Sequence, residues 1–230
     1  MKFEKLLREK PFSLVVSLPA NDPALAEAAL KAGADAVKVH LNVLHAASGN
    51  LFGDLDRNRA FLTRLIQMAG NKPVGLVPGG ADAFISEAER TELEDMGVDF
   101  ISCYAEHLPA FMLKSPTLTK MVALHDSYNE ILSAVKDSEI NVVEASIMKT
   151  SAYGKPLTFF DILEYRKICQ AVSQPVLVPT QKAVLPEEVF ALKNAGCKAV
   201  MIGANVMRDQ SAQAVYEATG AFRKAVDALC

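Results

Sequence analysis

One segment of this chain occurs twice. Residues 71–104 read NKPVGLVPGGADAFISEAERTELEDMGVDFISCY, and residues 173–204 read SQPVLVPTQKAVLPEEVFALKNAGCKAVMIGA. Each copy runs from two polar residues and a proline into a short apolar strand ending in Val-Pro. A turn, an acidic helix, a glycine and a second apolar strand follow. KAGADAVKVH at 31–40 repeats the helix–glycine–strand half again. Repeated strand–helix–strand units predict an α/β chain, and at 230 residues a single-domain (β/α)8 barrel of TIM type covering 1–230. In such a barrel the loops after the strands carry the chemistry.

Strands are predicted over 12–18, 34–41, 74–77, 100–104, 120–124, 141–146, 176–178 and 199–202, and helices over 23–32, 54–69, 83–96, 109–113, 127–136, 158–172, 186–195 and 211–229. Runs such as LVVSL, VGLV, MVAL and AVMI are continuous rather than alternating, as parallel strands covered on both faces require. Asp22-Pro23 reads as a capped helix start, and Gly33, Gly97 and Gly196 as left-handed helix stops. Two loops, NVLHAASGNLFG at 42–53 and IMKTSAYGKPL at 147–157, exceed the usual two to six residues or so. Both lie where barrel active sites form, and Gly49, Gly53 and Gly154 suit loops that close over a ligand.

The balance of charge excludes some functions. Net charge is -3 with no basic stripe, which argues against nucleic acid as a partner. No stretch approaches the roughly 18 apolar residues of a membrane span, and MKFEKLLREKPF lacks the apolar run of a signal peptide. Cys103, Cys169, Cys197 and Cys230 form no CxxC pair and read as free thiols in a reducing compartment. A cytoplasmic chain needing no cofactor is expected; homodimerisation is left open.

Charged residues inside predicted strands are the candidates for chemistry. Alternation over 34–41 turns Lys38 and His40 inward and Val37, Val39 and Leu41 toward the helices. Over 141–146 it turns Val142, Glu144 and Ser146 inward. Glu144 is the expected base, Lys38 the electrostatic stabiliser, and His40 or His125 the proton donor, His125 closing the fifth strand as LHD. A plain ion pair of Glu144 with Lys38 or Lys149 is the structural alternative. His40, His125 and a carboxylate lack any HxH or HExxH spacing, so no metal is expected.

Strand 8 ends in IGANVMRD, and loops after strands 7 and 8 bind phosphate in many barrels. Gly203, Ala204 and Asn205, with Thr180, Gln181 and Lys182, are the expected anion donors. AGCKAVMIGANVM, and more weakly NDPALAEAALKAGADAVKVH, resemble the ribulose-phosphate-binding barrel superfamily, which includes N-acetylmannosamine-6-phosphate epimerases. The resemblance implies a phosphate site at strand 8 and a basic residue at Lys38. The chain departs from that family at Val77-Pro78-Gly79-Gly80, where a catalytic lysine would stand, and at Pro179-Thr180-Gln181-Lys182, where an acid would. MKTSAYGKPLT at 148–158 resembles the KTSTGF-type segment of deoxyribose-phosphate aldolases. That likeness implies a Schiff base at Lys149, while the family's second lysine is matched by Val178. The leading expectation is an isomerase or epimerase acting on a small phosphorylated sugar by proton abstraction next to a carbonyl. An aldolase using Lys38 or Lys149, and a binding barrel without catalysis, are the alternatives.

Overall fold

In a computed structural model, residues 1–229 are described, and they form a closed (β/α)8 barrel. The strands are β1 (Ser13–Ser17), β2 (Ala36–His40), β3 (Val74–Val77), β4 (Phe100–Tyr104), β5 (Thr119–Ala123), β6 (Val142–Glu144), β7 (Val176–Pro179) and β8 (Ala199–Ile202). All neighbours pair in parallel, and β8 closes on β1 with Leu14 opposite Val200. The helices are α1 (Lys2–Glu9), α2 (Pro23–Lys31), α3 (Leu55–Ala69), α4 (Glu87–Met96), α5 (Leu132–Lys136), α6 (Phe159–Ala171), α7 (Val189–Asn194) and α8 (Ala212–Asp227). No helix among the described residues is long and apolar enough to cross a membrane.

The strands lie where the apolar runs put them, and the helices depart for local reasons. Asp22 caps α2 by accepting from the amides of Ala24 and Leu25. Gly33, Gly97 and Gly196 take positive φ at helix ends, as expected. α4 starts four residues later than the expected 83, because Ser86 and Glu89 form a reciprocal capping box while residues 79 and 84 pair in an antiparallel bridge. The helix expected over 109–113 is instead a 3-10 turn, Ala110–Lys114. Pro109 before it and Pro116 after it leave too little chain for an α-helix.

α1 was not anticipated. Its charged sequence hides the pair Phe3 and Leu7, four residues apart on one face and fully buried. They enter the N-terminal end of the barrel and pack with Val15, Ala36, Phe100, Met121, Val142, Leu177, Ala199 and Met201 in a core inside the strands. The Phe3 and Phe100 rings stack at 3.9 Å. Gly75 on β3 makes room for Phe100, since a β-carbon there would lie 2.3 Å from its ring. Phe3 keeps that ring from withdrawing. Gly75→Ala is therefore expected to destabilise the fold by about 1–3 kcal/mol, as overpacking does. The reading is a lower urea midpoint at unchanged slope. An unchanged midpoint would mean that Phe100 relaxes freely.

Candidate functional site

At the C-terminal end of the strands lies a cavity of about 440 Å³. Lys38 rises from β2 and Glu144 from β6, strands four places apart in a ring of eight, so the two side chains meet across the barrel axis. Their outward neighbours Val37, Val39, Val143 and Ala145 pack under the helices, and this alternation fixes the inward side. Lys38 Nζ lies 3.3 Å from Glu144 Oε2, and each residue is 5% exposed. Ser102 donates to the same oxygen at 2.5 Å, and Ser146 donates to Oε1 at 2.8 Å. The carboxylate is thus held by one cation and two hydroxyls. The ammonium has three N–H donors, of which Glu144 accepts one among the described contacts.

The 42–53 loop folds over one side of the cavity. Residues 44 and 51 pair in an antiparallel bridge, Asn42 adopts φ 55 and donates to Pro78 O, and Asn50 donates to Pro19 O. This arrangement sets the His45 ring 4.3 Å from that of His40, with Phe52 4.7 Å from His40 on a neighbouring side. Burial holds His40 well below the usual imidazole range, helped by His45 and Lys38. Burial, with Lys38, lowers His45 to about 4. Both rings are therefore neutral near neutral pH, and His40 Nδ1 is buried without a hydrogen-bond partner among the described residues.

Because the folded values lie below the unfolded value of about 6.5, the native state takes up fewer protons than the unfolded chain under mildly acid conditions. The stability this contributes is intact above about pH 6.5 and is lost as pH falls toward about 4. We expect the thermal midpoint to drop across that interval, and His45→Gln to flatten the drop. An equal drop in that variant would assign the acid sensitivity to other groups.

The 147–157 loop closes the other side, stitched to the turn after β7. Met148 N donates to Gln181 Oε1 at 3.1 Å, Gln181 Nε2 donates to the Tyr153 hydroxyl at 2.7 Å, and Gly154 N donates to Gln181 O at 2.8 Å. Tyr153 thereby lines the cavity beside Tyr104. Burial pushes the Tyr104 phenol up and the Cys103 thiol up to about 12, so both stay un-ionised.

Of the residues expected in a site, Lys38, His40, Glu144, Thr180, Gln181, Gly203, Ala204 and Asn205 line this one cavity. Three, His125, Lys182 and Lys149, do not line it. His125 is half-exposed, turned toward Asp126 and Glu106 outside the cavity, because β5 ends at Ala123 and the chain then bends into a 3-10 turn. Lys182 is ion-paired with Asp161 at 3.2 Å and donates to Pro156 O, so its charge is spent behind the cavity wall. Lys149 is exposed and lies outside the lining. Gly203 also contributes less than expected, since its amide already donates to Thr180 Oγ1 at 3.1 Å. The side-chain amide of Asn205 bridges Thr180 O and Gln181 O. The amides of Ala204 and Asn205 begin the 3-10 turn Ala204–Val206, where no carbonyl of the turn can accept them.

Sequence reasoning missed Ser17 and Ser102, although alternation in SLVVS and FISCY turns both inward. It also missed His45, His107 and Tyr153, which reach the cavity from loops or turns that carry no periodic signal.

No family model matches the chain, and no curated protein sequence does. Solved structures do match. Thiamine phosphate pyrophosphorylase from Pyrococcus furiosus aligns with a TM-score of 0.68 at 16% identity, over 95% of this chain and 97% of that one. A mutant tryptophan synthase alpha-subunit from Pyrococcus furiosus gives 0.71 at 16% identity, over 94% and 98%. A native KDPGal structure gives 0.64 at 18% identity, over 94% of each chain. At these identities the likeness shows a shared barrel fold.

Proposed function

We propose that this barrel is an isomerase or epimerase that takes a proton from the carbon next to a carbonyl in a small phosphorylated sugar or related anion. The observation that carries the reading is the Lys38–Glu144 pair, buried at the floor of the cavity and joined across the barrel. Charges are seldom buried for stability alone, and here both line the cavity. Glu144 is the base, and Lys38 stabilises the enediolate oxygen as negative charge develops. Neutral His40 lines the cavity and takes the donor role that His125, turned outside it, is too remote to fill. The cavity volume of about 440 Å³ lies in the range that holds small metabolites.

The resemblance of AGCKAVMIGANVM to phosphate-binding barrels supports an anion at the end of β8. With Lys182 paired elsewhere, the donors there are the amides of Ala204 and Asn205 rather than a lysine. Gly203→Asp tests this electrostatically. A β-carbon at Gly203 would meet nothing nearer than 3.8 Å, so the added side chain leaves the backbone without a close contact and brings a negative charge to the proposed anion site. Titration calorimetry with a panel of phosphosugars is expected to give weaker binding to the variant. Equal binding by both proteins would place the anion elsewhere.

The reaction itself is tested by incubating the same panel in deuterium oxide and following loss of the carbon-bound proton by NMR. Exchange is the expected result, and binding without exchange would favour a non-catalytic barrel. A Schiff-base aldolase is the second reading. It now rests on Lys38, because Lys149 stands outside the cavity.

A further inference from the structure

At the opposite end of the barrel two thiols meet. Cys169 lies near the end of α6, Cys197 lies just before β8, and their Sγ atoms are 3.6 Å apart. Gly196 permits the approach. It holds φ +103, and a β-carbon there would come within 3.1 Å of Cys169 Cβ. The two thiols are not equivalent. Cys169 is partly exposed and Cys197 is buried. The hydrogen bond from Cys197 favours the thiolate of Cys169, while the same contact and burial hold the Cys197 thiol well up.

Cys169 also borders a cleft of about 340 Å³, whose polar wall includes Arg8, Ser173, Gln174 and Lys198. Arg8 is engaged by Glu4 at 2.9 Å, whereas Lys198 has no ion pair among the described residues. A thiolate-prone sulfur, a resolving thiol in contact with it, and an adjoining cleft carrying a cation are the parts of a thiol–disulfide exchange site. We infer that Cys169 and Cys197 are oxidised to a disulfide by a small anionic disulfide, such as oxidised glutathione, seated in this cleft.

The exchange balances in two steps. The Cys169 thiolate attacks one sulfur of the small disulfide, whose S–S bond breaks and releases one thiolate, which takes up a proton. Cys197 then gives its proton to solvent, and its sulfur attacks Cys169 Sγ. The mixed disulfide breaks and releases the second small thiolate, which takes up a proton from solvent. Two protein thiols are oxidised and one small disulfide is reduced to two thiols. Forming the disulfide closes the gap from 3.6 Å to a bond of about 2.05 Å.

The test is to incubate the whole chain with oxidised glutathione, alkylate the remaining thiols and map the peptides by mass spectrometry. The expected result is loss of two of the four thiols to a Cys169–Cys197 disulfide, with Cys103 still alkylated. Cys197→Ser should trap glutathione on Cys169, and Cys169→Ser should leave Cys197 unmodified. Lys198→Glu should slow the reaction with oxidised glutathione but not with neutral hydroxyethyl disulfide. Retention of all four thiols, or modification confined to Cys103 or Cys230, would overturn the exchange site. Equal slowing with both disulfides, or none, would overturn the seating of the anion.

Discussion

Lys38→Met is expected to destabilise the barrel by about 3–5 kcal/mol, the range for removing one partner from a buried ion pair. Methionine fills much of the lysine's volume, so the loss comes mainly from charge. Glu144, 5% exposed, would keep only the hydroxyls of Ser102 and Ser146 as partners for a full negative charge. Combining Lys38→Met with Glu144→Gln removes both charges and should recover much of the loss, because an amide oxygen still accepts from a serine. Urea unfolding of the two proteins checks the difference. A Lys38→Met protein as stable as the parent would show that buried Glu144 does not need the ammonium.

The second large effect falls on chemistry. Glu144→Gln keeps the shape of the side chain and removes the base, so exchange of the carbon-bound proton should fall by about 10²–10⁴-fold. The substitution also leaves the Lys38 ammonium without its carboxylate. The rate is therefore compared on protein shown to be folded by circular dichroism. Glu144→Asp, which retains the charge but draws it away from Ser102 and Lys38, should fall between the two. A glutamine variant that exchanges at the parent rate would remove Glu144 from the reaction.

The pair itself was legible because a parallel barrel has only two sides. Val37, Val39 and Leu41 claim the helix side of β2, so Lys38 and His40 must face inward, and Val143 and Ala145 make the same case for Glu144. The same rule applied to SLVVS and FISCY would have found Ser17 and Ser102. Spacing alone also held the signal for α1, since Phe3 and Leu7 recur at one helical turn among the charges. Other features had no local signal. Lys182 looks free in TQK, and only the meeting of the β7 turn with the start of α6 pairs it with Asp161. Tyr153 reaches the cavity because Gln181 holds its loop there, a contact between segments 28 residues apart. His125 follows a strand that ends two residues earlier, and one bend is enough to turn it out of the cavity.

If Glu144 removes a proton beside a carbonyl, Lys38 stabilises the charge without forming a covalent bond to the substrate. The most direct measurement is mass spectrometry after the unmodified protein and a phosphorylated ketose or aldose are incubated in deuterium oxide and treated with borohydride. An imine to lysine would be reduced to a permanent adduct, whereas an enolising base leaves the protein unchanged and labels the metabolite. The expected result is a metabolite carrying solvent deuterium at the carbon next to its carbonyl, and a protein at its native mass. A protein heavier by the reduced metabolite, with the adduct mapped to Lys38, would contradict it and identify an aldolase.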